Sequence, residues 1–260
     1  MSPGGEPPAQ ERANSVKRVD YDDVASTYEL RYAFRNYEHT RQLLRRFVGD
    51  ASTVMEVGCG TGHWLRELAG TVQTLIGLDR SSGMLARARQ ASAVDLVRGD
   101  ALSLPFATAS VDRLFCVNVL HHIADHATFL KECRRVIRPN GGFMTIALDP
   151  YDGRDRWWVY DYFPRALTLD RERYPAVSRI RELLTAAGFG DTSTEVAEHL
   201  TGAVPYAEAH ARGSTDRRAT SQLMVISDEE YADGMRRLGV DQPVLRTDLR
   251  LFATTAWVRA

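Results

Sequence analysis

Three carboxylates recur at intervals that one ligand could use: Glu56, then Asp79 after 23 positions, then Asp100 after another 21. The first stands inside "VMEVGCGTGHW", residues 54–64, where an apolar run leads into Gly58, Gly60 and Gly62. Glycines there let the main chain turn through positive φ and approach a ligand to contact distance. An acid two residues before the first glycine suits a ligand with a cationic amino-acid portion and would repel a pyrophosphate. The dinucleotide fingerprint needs its third glycine at position 63, which is His63, and no Lys-Ser or Lys-Thr follows to form a phosphate-cradling loop. Asp79 suits a carboxylate that accepts from both hydroxyls of a ribose. Asp100, in "RGDALSLPF", could accept from an adenine amino group, with Ala101 and Leu102 leaving room for the flat ring. Each acid alone also reads as an ordinary capping residue, but their recurrence at three successive strand ends favours a shared ligand.

The elements that must carry these residues follow from the apolar pattern. Strands are expected at "TVMEV", "TLIGLD", "VDLVRGD", "VDRLFCVNV" and "GGFMTIAL", alternating with helices at "HWLRELAG", "SGMLARARQ" and "HATFLKECRRVI". Apolar strands linked by amphipathic crossovers imply a parallel sheet covered on both faces. "ALSLPFATAS" carries a proline and little helical periodicity, so it reads as loop. Two helices precede the block, in "YDDVASTYELRY" and "NYEHTRQLLRRFV". After it come an aromatic-rich stretch, "RDRWWVYDYFPRAL", and a helix in "AVSRIRELLTAAGF" with a glycine stop at Gly188. A strand in "DTSTEVAEHL", a helix opened by Ser227 or Asp228, and a final strand in "LRLFATTAWVRA" complete the chain. The expected fold is α/β, an open and mostly parallel seven-stranded Rossmann-like sheet with helices on both faces. Residues 1–15 read as a disordered tail and 16–260 as one domain. Within it, 16–50 form N-terminal cap helices, and about 151–240 partly a helical lid.

Composition narrows the partners. The 260 residues balance 33 basic against 34 acidic side chains, and 44% are hydrophobic. That balance disfavours a nucleic-acid backbone or an anionic bilayer and favours a small molecule. The basic residues are 31 Arg and two Lys, a skew that fits GC-rich coding more readily than a set of anion sites. Cys59, Cys116 and Cys133 lack metal-ligand spacing, and their odd number suggests reduced thiols. With no export signal and no apolar run of the ~20 residues a bilayer requires, a cytoplasmic protein without a membrane span is expected. The oligomeric state is not encoded legibly.

The chain resembles the class I S-adenosylmethionine-dependent methyltransferases, particularly the small-molecule group of the ubiquinone-biosynthesis type. The likeness lies in "EVGCGTG", "LDRSSGMLARA", "GDALSLPF", "DRLFCVNVLHHI" and "LKECRRVIRPNGGFM", over roughly residues 20–150. It implies S-adenosylmethionine as cofactor, with Gly58, Cys59, Gly60 and Gly62 beside its methionine and ribose portions and Glu56 nearby. It further implies Asp79 on the ribose, Arg80 and Met84 near the adenine, Asp100 and Ala101 at its edge, and Asn118 at the methionine portion and substrate entrance. A hydrophobic residue often stands where this chain has Arg80, although a guanidinium plane can stack on a ring. The N-terminal helix resembles one that folds over the cofactor, so Tyr21, Tyr28 and Arg31 are candidates there, against a plain packing role.

Methyl transfer from a sulfonium is an in-line displacement in which alignment matters most. A base is optional and would help a hydroxyl acceptor. His121 and His122, just beyond the fourth strand, are the candidates, with neighbouring side chains expected to diverge so that one meets the pocket and one braces the loop. Trp157, Trp158 and Tyr162 would give the lid apolar surface for a hydrophobic or aromatic acceptor, or would pack against the sheet. The expected activity is O-, N- or C-methylation of a small metabolite. Methylation of RNA or protein, or a cofactor-binding scaffold without transfer, are the alternatives.

Overall fold

A computed structural model describes residues 37–91 and 94–259. The central strand β1 (Thr53–Val57) pairs in parallel with β2 (Thr74–Asp79) on one side and β4 (Val111–Val117) on the other. β3 (Asp95–Arg98) adds outside β2, and β5 (Ile137–Leu148) outside β4. The last strand, β8 (Val244–Trp257), runs antiparallel to β5. Both β7 (Gly190–Pro205) and the short β6 (Arg156–Trp157) pair with β8 in turn. The order is therefore β3-β2-β1-β4-β5-β8, and only β8 is reversed. The sheet has eight strands where the sequence predicts seven. The extra one is β6, two residues long, too short to show any periodicity.

Neighbouring residues of β1 serve opposite faces. Val54 joins the apolar cluster of α1 (Glu38–Val48) and α2 (His63–Leu68), which includes Leu43, Phe47, Trp64 and Leu65. Met55 joins the other, with Phe129 and Cys133 of α4 (His126–Val136) and Ile180 and Leu184 of α7 (Val177–Ala186). A strand buried on both faces must be apolar nearly throughout, as "TVMEV" is. α3 (Ser82–Ala91) completes the second crossover. No helix links β3 to β4, as expected. That loop satisfies its backbone through α4 instead: Glu132 Oε2 accepts from Leu104 N at 2.9 Å, and Arg135 donates to the carbonyls of Leu104 and Phe106.

The later half of the chain builds outward from the strand ends. β5 stops opposite Leu251 of β8, but β8 continues back to Val244, paired all the way with β7 to Pro205. At ~3.4 Å per residue this arm of β7 and β8, joined by β6 at Thr247 and Asp248, projects roughly 20 Å beyond the carboxyl edge of the parallel strands. Residues 206–243 leave from its tip and return to it, and carry α8 (Tyr206–Ala211), α9 (Ser221–Val225) and α10 (Asp228–Asp241). Ser227 is the cap of α10, closed by a reciprocal pair of bonds with Glu230. α5 (Trp158–Tyr162) packs against β8, and α6 (Pro164–Arg173) packs against α5, α9 and the turn after β4. The stretch 151–240 thus contains β7, a strand of the sheet, and α7, which packs on the sheet's face, as well as covering helices. No helix of the described residues is long and apolar enough to cross a membrane.

Candidate cofactor and acceptor site

After Val57 the chain turns away from β1 without losing its ladder. Gly58 N and Cys59 N both donate to Leu78 O, at 2.7 and 3.0 Å, and Gly62 N closes the turn on Cys59 O at 2.9 Å. Gly58, Gly60 and Gly62 have φ of +70°, +53° and +78°. At Gly58 space also decides, because a Cβ would lie 2.4 Å from Val119 Cγ2. The bend and the tip of β4 therefore touch, and glycine is what permits it. Cys59 points its sulfur inward, where burial pushes the thiol pKa far up, so this residue offers a ligand only its main chain.

Glu56 is 1% exposed, and its Oε2 meets no hydrogen-bond donor among the described residues. Burial, then the nearby Asp79 charge, holds its carboxyl well above the ordinary range, against a smaller opposing pull from Arg66. A buried unmet acceptor costs ~1–3 kcal/mol, and a cationic donor brought by a ligand would relieve it. Asp79 is fixed from both sides, with Gly60 N donating to Oδ2 at 2.8 Å and Ser81 N to Oδ1 at 2.9 Å. Burial raises its pKa as well, despite those bonds. Ser81 caps α3 by accepting from Met84 N at 3.0 Å, which seats the buried Met84 thioether in the first turn. Arg80 is exposed, and its carbonyl accepts from Arg98. Asp100 is exposed at the next strand end and folds a turn by accepting from Leu102 N, with Ala101 and Leu102 packed on the sheet behind.

At the tip of β4, Asn118 adopts φ +55°, a left-handed conformation asparagine tolerates, while its N–H still donates to Ile146 O. A 3₁₀ turn over Leu120–His122 follows. Here one expectation fails: the rings of His121 and His122 do not diverge but lie 3.8 Å apart, tilted by 49°. The loop is braced by a third histidine, His126, whose Nε2 meets Leu120 O at 2.9 Å. His121 is 8% exposed, and Tyr174 stacks on it at 4.1 Å with the planes 14° apart.

The three lid aromatics are divided. Trp157 is buried in β6 against Tyr160. Trp158 and Tyr162 line an open groove of about 420 Å³ between α5, α10 and the start of β8. Their ring and hydrogen-bond contacts run to Phe163 and Asp241. Tyr21, Tyr28 and Arg31 lie outside the described residues. What sequence reading missed is Tyr174, together with Asp170 and Gln222 behind it. A faint signal existed in "Tyr-Pro" at 174–175, since the residue before proline is pushed out of the helical region. Tyr174 indeed ends α6 in an extended conformation.

Comparison with known proteins gives this geometry a context. Residues 55–145 match the family described as a methyltransferase domain. A probable S-adenosylmethionine-dependent methyltransferase of Mycolicibacterium smegmatis is 31% identical over 227 residues, covering 85% of this chain and 81% of that protein. A demethylmenaquinone methyltransferase of Bacillus licheniformis is 33% identical over 134 residues, 49% of this chain and 57% of its own length. Among solved structures, the YcgJ protein of Bacillus subtilis shares the fold, with a TM-score of 0.61 at 21% identity over 85% of this chain and 99% of that one. The bend after β1, the acids at the strand ends and the kinship over most of the chain lead to one assignment: this protein belongs to the class I S-adenosylmethionine-dependent methyltransferases.

Proposed function

We propose that the chain methylates a small hydrophobic or aromatic metabolite held between the β4 tip and α6, on oxygen, nitrogen or carbon. The observation that carries this reading is the roof over the site: α6 packs on the 3₁₀ turn and leaves His121 only 8% exposed. A polymer needs an open, basic approach, whereas α6 covers His121 and the chain has a formal charge of −1. Kinship with a demethylmenaquinone methyltransferase supports an aromatic acceptor.

Bound S-adenosylmethionine supplies a methyl group already activated by its sulfonium. Glu56 would meet the cofactor's ammonium, and the main chain of residues 58–62 would hold its methionine and ribose portions. Asp79 would accept from the ribose hydroxyls. Met84 and Arg80 would hold the adenine, Asp100 and Ala101 would read its edge, and Asn118 would border the methionine portion. Tyr21, Tyr28 and Arg31 are assigned to cofactor binding on the family resemblance alone. Alignment of this kind is worth up to ~7–11 kcal/mol in favourable cases. His121 takes the proton of a hydroxyl acceptor, a contribution of ~10²–10⁴-fold, and His122 supports it from the side.

The test is transfer of radiolabelled methyl from S-adenosylmethionine to a panel containing 1,4-naphthoquinol, phenols, amines, RNA and whole-cell protein. Label is expected in a small aromatic acceptor and to fall in His121→Ala with unchanged cofactor affinity. Label in RNA or protein alone, or none anywhere, refutes the acceptor class. Full turnover in His121→Ala removes the base role.

A further inference from the structure

Behind His121 lies a chain of buried side chains that the reaction outlined above leaves unused. Asp170 is fully buried, and Tyr160 Oη donates to its Oδ2 at 2.7 Å. Gln222 Nε2 donates to the same oxygen at 2.9 Å, and Arg173 donates to Oδ1 at 2.5 Å. Because Asp170 Oδ2 is the acceptor of both bonds, the Gln222 amide presents its nitrogen there. Its oxygen meets the hydroxyls of Thr220 and Ser221. The same nitrogen reaches Tyr174 Oη at 3.3 Å. The ring of Tyr174 covers the face of His121, and His122 closes the other contact.

The strand edge fixes where this chain begins. Asp149, next after β5, accepts from Tyr151 N at 3.0 Å and from Val177 N at 3.1 Å. Arg171 Nε donates to Pro150 O at 3.2 Å. The end of α6 is thereby tied to β5, the neighbour of the strand that carries His121.

We infer that Tyr174 is a positioning residue for His121, and that it acts through its ring rather than its hydroxyl. This rests on the reading of His121 as the acceptor's base. Stacking occupies a face of the imidazole and so fixes the plane in which its ring nitrogens point. A base aimed this way does not need to be re-oriented at each turnover.

The test uses the full chain saturated with S-adenosylhomocysteine. Proton NMR should show a cross-relaxation peak between the Tyr174 and His121 rings, the latter identified by its loss in His121→Ala. The His121 ring protons are expected upfield. Tyr174→Phe should leave them there, while Tyr174→Leu moves them downfield. With the acceptor found in the panel, or 1,4-naphthoquinol, Tyr174→Leu should lower kcat about tenfold with KM unchanged, and should cost nothing further once His121 is alanine; Tyr174→Phe should restore the rate. Absence of the ring-to-ring peak in the unaltered chain, or His121 signals unmoved in Tyr174→Leu, overturns the inference without touching the base assignment. A Tyr174→Leu loss that persists in His121→Ala overturns it too. Full turnover in His121→Ala alone sinks the base reading instead.

Discussion

The two sides of the strand edge are built by different means. From β1 to β3 the surface is made by main chain and by carboxylates fixed to main chain: Gly60 N and Ser81 N hold Asp79, and Leu102 N holds Asp100. From β4 to β8 it is made by side chains stacked on side chains, as in His121 on Tyr174 or Trp158 against Phe163. Main-chain geometry tolerates little variation, because a bend that needs positive φ admits few residues. Side-chain surfaces can change composition while the strands beneath stay fixed. The first construction suits a ligand that never changes, and the second a ligand that differs between relatives.

Gly58→Ala should break the first side most severely. Overpacking against Val119 costs ~1–3 kcal/mol, and the left-handed conformation adds ~1–2 kcal/mol. Urea unfolding should show the sum, and calorimetry the loss of cofactor binding. Adding Val119→Ala should recover only the packing part; full recovery would mean that φ is not constrained there.

A smaller effect is expected on pH dependence. Burial raises the Glu56 pKa in the folded chain, so its contribution to stability is complete below the ordinary carboxyl value of 4.5 and is lost as pH rises through the raised one. A cationic ligand favours the ionised form, so cofactor affinity should climb over that same window and binding should release protons. Glu56→Gln should flatten both slopes, since a single proton changes the free energy by at most about 1.4 kcal/mol for each step of one in pH. Asp79, also raised, remains to give a residual slope. Equal proton release by the variant and the parent in calorimetry with two buffers would reassign the effect.

The smallest change should come from the outer groove. Tyr162→Phe removes one exposed bond to Asp241, at a cost of ~0.5–1.5 kcal/mol or less. Steady-state KM for the acceptor should stay as it was. A marked rise in KM would bring the groove into the acceptor site and blur the contrast between the two sides.

That contrast also explains what could be read from the sequence. The glycine bend and its acids are largely local: Asp79 ends its strand and grips Ser81 N, Asp100 grips Leu102 N, and Glu56 stands one residue before the end of β1. Alternating apolar blocks likewise announce the parallel strands and the α4 and α7 helices. The Tyr174 stack joins residues 53 apart in the chain, and Gln222 meets Asp170 across 52. No periodicity encodes such pairings. The twin histidines mislead for a related reason: side chains of adjacent residues leave a turn in different directions, yet packing from α6 folds both rings over one spot. β6 was invisible because two residues carry no pattern.

The excursion over residues 206–243 starts and finishes on one rung of the arm, where Pro205 faces Val244. Its two ends are therefore neighbours, as in a hairpin loop, whatever lies between. A whole covering unit can be lengthened, shortened or exchanged there while every strand of the sheet keeps its register. A fold built so can exchange one contiguous covering piece of chain and leave the sheet beneath it unaltered.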